Sequence, residues 1–118
     1  MAALAAGWEA AARRAFDAAL LAGNPAAVTR AAMDRVGGRP TAVIAVGKAA
    51  VGMAQAVREA GCDAPGIIVT TDENFAEIQG MRSFASAHPV PDERGLAAAA
   101  AVMEFVAALG EGHPVGRR

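Results

Sequence analysis

Two short apolar runs with a helix-period segment between them restrict this chain to very few folds. Thr41-Ala42-Val43-Ile44-Ala45-Val46 and Ile67-Ile68-Val69-Thr70-Thr71 are rich in β-branched residues and lack polar alternation. That is the pattern of strands buried on both faces. Between them Ala50, Met53, Ala54 and Val57 recur at i, i+3, i+4 and i+7, the apolar stripe of a helix. Gly47 ends the first run, the helical period begins at Lys48, and Gly61-Cys62-Asp63-Ala64-Pro65-Gly66 supplies the return turn. Strand, helix, strand within about thirty residues is a βαβ unit, whose crossover is right-handed in about 98% of cases. The expected class is α/β with a mainly parallel sheet.

The flanking segments extend this frame. Residues 4–21 predict an amphipathic helix, with Trp8, Ala12, Phe16 and Leu20 recurring every four positions. Asn24-Pro25 is a helix start, with Asn as cap and Pro at the first helical position. The second helix runs to about Val36, so residues 4–36 form a helical pair ahead of an α/β part at 41–109. Residues 72–80 read as a polar connection with one short helical turn, and Arg82–Ser86 as a weaker strand nearer an edge. The two prolines of Ala87-His88-Pro89-Val90-Pro91 predict extended backbone. Asp92 and Glu93 then open a last helix, where the macrodipole favours negative charge. It runs to about Leu109, with Leu96, Ala99, Met103 and Val106 on one face. The alternating order predicts another strand after it. His113-Pro114-Val115-Gly116-Arg117-Arg118 does not supply one, and the expectation is an interrupted fold, a fragment of a longer protein.

Hydrophobic residues make up 54% of the 118, but aromatics reach only 4%. A core built mainly from Ala needs close backbone approach, as when helices lie flat on a sheet. The formal net charge of -1 excludes the basic patch that nucleic-acid or membrane-surface binding requires. A small ligand is expected instead. Cys62 is the single cysteine, so neither a disulfide nor a cysteine metal pair can form within the chain. No basic stretch precedes the first apolar residues, and no apolar run approaches the ~18 residues of a membrane span. These features lead to the expectation of a cytoplasmic protein.

Lys48 is the foremost candidate for chemistry. It stands where a buried strand becomes a helix, the edge at which parallel α/β sheets place their ligands. Free backbone amides and the positive end of the helix dipole attract phosphate or carboxylate there. A Lys at that point opposes the dipole, and an anion would remove the conflict. Among eleven Lys and Arg residues it is the only Lys, a compact point charge suited to phosphate. The bland alternative is a lysine reaching into solvent. His88 and Asp92 lie in a proline-stiffened loop that could line the same edge, or could be a turn residue and a plain helix cap. A Walker A loop is excluded, because positions 42 and 49 are both Ala, and no G-x-G-x-x-G is present.

Val46-Gly47-Lys48-Ala49-Ala50-Val51-Gly52-Met53-Ala54 and Ala87-His88-Pro89-Val90-Pro91-Asp92-Glu93 resemble class II glycerate 2-kinases, a family also labelled hydroxypyruvate reductase. Phe16-Asp17-Ala18-Ala19-Leu20 followed by Asn24-Pro25 matches the way that family begins. The resemblance covers nearly the whole chain to about Gly112 and implies a Rossmann-like α/β/α domain facing a second domain across a cleft. It implies transfer of the γ-phosphoryl of ATP, with Mg²⁺, to the 2-hydroxyl of D-glycerate. It places the family's catalytic lysine on Lys48, phosphate contacts at Gly47 and Ala49, and a neighbouring wall at His88 and Asp92. The 118 residues alone are then expected to lack kinase activity, and the face left open by truncation to promote self-association. An NAD(P)H-dependent hydroxypyruvate reductase and a stand-alone module binding a small anion are the alternatives.

Overall fold

The computed structural model describes residues 2–112; the segment 113–118, expected from the sequence to be a tail outside the domain, lies outside the described residues. Its order is α1 (Ala2–Ala22), α2 (Pro25–Val36), β1 (Val43–Val46), α3 (Ala50–Glu59), β2 (Gly66–Thr71), a 3₁₀ turn (Asp72–Asn74), β3 (Met81–Ser86) and α4 (Glu93–Gly112). The three strands form one parallel sheet in the order β1-β2-β3. Asn24 caps α2 by accepting from the Ala27 N–H at 3.0 Å, with Pro25 at the first helical position.

β2 is the centre of the core. Its consecutive residues Ile67 and Ile68 are both fully buried, and successive strand side chains point to opposite faces. Both faces of the strand are therefore covered. Ile68 packs with Ala50 and Ala54 of α3, and Ala45 and Met81 border the cluster. α4 lies against β3 and β2, and its buried Ala98 and Ala101 close the other side. Sheet between helices is the three-layer α/β/α arrangement. The alanine-rich composition is explained here, because methyl side chains let both helices approach the sheet closely.

Three expectations about burial need correction. β1 is covered on one face only: Ile44 is 46% and Val46 68% exposed. Both share a face with Ile67 and Val69 through the register, but α4 reaches across β3 and β2 and stops short of β1. On α4 itself the expected stripe is turned outward, with Leu96, Met103 and Val106 at 74%, 70% and 45% exposure. This helix carries two apolar stripes, and the one made of small residues packs because it fits closer to the sheet. The α1 stripe likewise faces solvent at Trp8, Phe16 and Leu20.

Arg58 at the end of α3 ties the turn to the sheet by donating to the carbonyls of Gln79, Cys62 and Ala64 at 3.1, 2.9 and 2.7 Å. Cys62 is buried, and its thiol donates to the Pro40 carbonyl. Its role is structural.

Candidate functional site

Because all three strands are parallel, their carboxyl ends share one edge. Lys48 follows β1, Asp72 follows β2, and the His88–Asp92 loop follows β3. This edge is where open α/β sheets bind ligands.

At the first of these ends the strand is anchored by Gly47, whose N–H donates to the Val69 carbonyl at 2.9 Å. Gly47 has φ +115, a conformation an L side chain rarely adopts, so glycine is what lets the chain turn here. Lys48 and Ala49 occupy the turn, and α3 begins at Ala50, two residues later than the sequence suggests. Ala49 at the N-cap brings no side-chain acceptor to the helix's first amides. Lys48 is exposed and takes part in no ion pair among the described residues. An ammonium and uncapped amides thus stand together at the carboxyl end of β1.

His88 is exposed in a loop that bends at 88–90, with a cis peptide between His88 and Pro89, rather than running extended. Asp92 caps α4, its carboxylate accepting from the N–H groups of Arg94 at 3.1 Å and Gly95 at 3.4 Å. The edge gathers these residues with Lys48 but does not bring them to one point. β2 lies between, and two strand spacings amount to about 10 Å. A ligand touching both would have to be larger than a single phosphate.

The gap is occupied by a cluster absent from the sequence reading. Arg94 donates to both carboxylate oxygens of Asp72, at 2.6 and 2.8 Å, and to Asp92 at 3.0 Å. These hydrogen bonds hold the Asp72 carboxyl below the usual carboxylate range, and Asp92 is lowered by Arg94 with help from backbone amides. The guanidinium's own pKa is raised in return. A signal for the cluster exists in the sequence. Asp72 directly follows a buried strand, and Arg94 stands in a helix's first turn, where its charge opposes the dipole and calls for an anionic partner.

Both carboxylates are engaged by Arg94, and no group of three or more His, Cys, Asp or Glu among the described residues could hold a metal ion. With both carboxylates committed to Arg94, the charge left open to a ligand at the carboxyl end of β1 is the Lys48 ammonium. A cavity of about 360 Å³ lined by Val28, Met33, Val36 and Met53 lies between α2 and α3, toward the amino end of β1. It is apolar and away from this edge.

Comparison with known proteins places the chain in a family. A protein of Agrobacterium vitis named "Putative hydroxypyruvate reductase" is 37% identical over 101 residues, covering 83% of this chain and 23% of its own length. The crystal structure of the PH0495 protein from Pyrococcus horikoshii OT3 superposes with a TM-score of 0.53 at 31% identity, over 56% of this chain and 15% of that one. The chain thus spans less than a quarter of the length of either. The model of the domain of unknown function DUF4147 matches residues 11–115, nearly the entire sequence, and the chain belongs to that family, whose domain is found in glycerate 2-kinase family proteins.

Proposed function

We propose that this chain is the amino-terminal part of an ATP-dependent glycerate 2-kinase that phosphorylates D-glycerate to 2-phosphoglycerate. The observation that carries the reading is Lys48: an exposed ammonium, in no ion pair among the described residues, at the carboxyl end of a parallel strand and beside the uncapped start of α3. Phosphoryl transfer asks a protein mainly for positioning and for positive charge near the moving phosphoryl. Lys48 would hold that charge, Gly47 and Ala49 would let backbone amides approach it, and His88 and Asp92 would flank the substrate across β2. Mg²⁺, when bound with the nucleotide, would neutralise phosphate charge; in this proposal it is held by the phosphates or by parts of the enzyme beyond this chain.

The name of the Agrobacterium vitis relative favours a second reading, reduction of hydroxypyruvate with NAD(P)H. The absence of a dinucleotide glycine fingerprint counts against it. The full-length enzyme carrying this segment separates the two. Glycerate with ATP should yield 2-phosphoglycerate in a coupled assay, and hydroxypyruvate with NADH should give no oxidation of the cofactor. NADH oxidation without phosphorylation would overturn the kinase assignment. The 118-residue chain alone should phosphorylate nothing.

Self-association belongs to the same proposal. β1 leaves an open strand edge and an uncovered face at Ile44 and Val46, features that favour pairing with another copy. Sedimentation of the purified 118-residue chain should show dimers or larger species at micromolar concentration. A monomer throughout that range would remove the idea.

A further inference from the structure

We propose that Arg94 is a positioning residue, a clamp that seats the loop after β3 against the end of β2 by holding Asp72 and Asp92 at once. What the edge binds rests on the kinase reading given above; how the loop is held rests on the ion-pair geometry alone.

Asp72 directly follows β2, the fully covered central strand, so its backbone is the fixed side of the clamp. Asp92 ends the loop and caps α4. Between these two anchors run His88-Pro89-Val90-Pro91, all exposed, with Val90 at 72%. No side-chain hydrogen bond from those four residues to the rest of the chain is present among the described residues, so the ends must fix the loop's place.

Arg94 makes that connection in a way no other side chain could. Its fork spans both oxygens of Asp72 at 2.6 and 2.8 Å, while Nε turns back to Asp92 at 3.0 Å. Three donors in one plane meet three acceptors, and bidentate charge-assisted bonds of this kind carry directional specificity as well as strength. A lone exposed ion pair contributes little to stability. Here one cation serves two carboxylates from different elements, and its effect is on where the loop sits more than on whether the chain folds. The two carboxylates and one guanidinium leave the cluster with a net charge of -1. That charge disfavours an anion directly on the cluster and leaves the Lys48 ammonium as the favourable place for a phosphate.

The test combines hydrogen exchange on the 118-residue chain with kinetics of the full-length enzyme, using R94A, R94K and D72N. In R94A and D72N, the hydrogen-bonded amides of Arg94 and Gly95, where the loop meets α4, should exchange roughly three- to tenfold faster, while those of β1 and β2 keep their wild-type rates. R94K should not restore protection, because a compact ammonium lacks the planar fork that grips both oxygens of Asp72 while Nε holds Asp92. In turnover, R94A should raise KM for D-glycerate about tenfold and leave kcat nearly unchanged, whereas a purely stabilising ion pair would move neither. Unchanged exchange in R94A overturns the inference. So does a loosened loop with kcat and KM both within twofold of wild type. If the wild-type enzyme phosphorylates no glycerate, the kinase reading fails by itself, and the exchange rates still decide whether Arg94 holds the loop.

Discussion

Replacing Lys48 with methionine in the full-length enzyme is expected to lower kcat by roughly 10²- to 10³-fold, the usual cost of removing one group that stabilises transition-state charge. Methionine keeps the length of the side chain and removes the charge. On the kinase reading proposed above, the effect should fall on kcat more than on KM, because the ammonium would matter most as the phosphoryl moves between oxygens. K48R should recover little, since a planar fork on a longer, wider head does not occupy the place of a compact ammonium. Folding should be unaffected: Lys48 is exposed and in no ion pair among the described residues, and surface substitutions of this kind stay within about 0.5 kcal/mol. A coupled assay and a thermal melt on the same preparation check both halves. Turnover by K48M within about threefold of wild type would remove Lys48 from the chemistry.

The second large effect is on stability. Ile68→Ala should cost about 2–5 kcal/mol, the range for truncating a buried aliphatic side chain, out of a total of about 5–15 kcal/mol for a typical domain. Ile68 is fully buried and its closest buried partners are Ala50 and Ala54. Neither has a side chain long enough to move into the space left behind, so only the partly buried Val51, Ile78 and Met81 at the border can reduce the cavity. Ile44→Ala is the control. Ile44 occupies the neighbouring strand but is 46% exposed on the uncovered face, and its truncation should cost about 1 kcal/mol or less. Urea unfolding of the two variants gives the comparison. Equal losses would mean that the two faces of the sheet are not as different as the packing of α3 and α4 makes them.

Much of the candidate site could be read in the residues. Gly47-Lys48 between a β-branched run and a helical period places a cation at a strand's carboxyl end, and the strand order confirms that end as the shared edge. Arg94 and Asp72 were harder to see because their partnership spans twenty-two positions. Each breaks a local preference or sits at an informative place, but only folding shows which acid answers which base. Asp92 carried two readings, helix cap and site wall; the structure shows that it caps α4.

What the sequence determined by itself was the set of elements and their class. Hydrophobic period and turn chemistry act over a few residues, so Val43–Val46, Ala50–Glu59 and Gly66–Thr71 could be placed from their own composition. Which apolar stripe is buried was decided by the tertiary structure. α4 offers both Leu96/Met103/Val106 and Ala98/Ala101 to the sheet, and β1 carries apolar side chains on both faces. The choice depends on which stripe lets helix and sheet approach closest and on how far α4 reaches across the strands, and both are properties of the assembled layers.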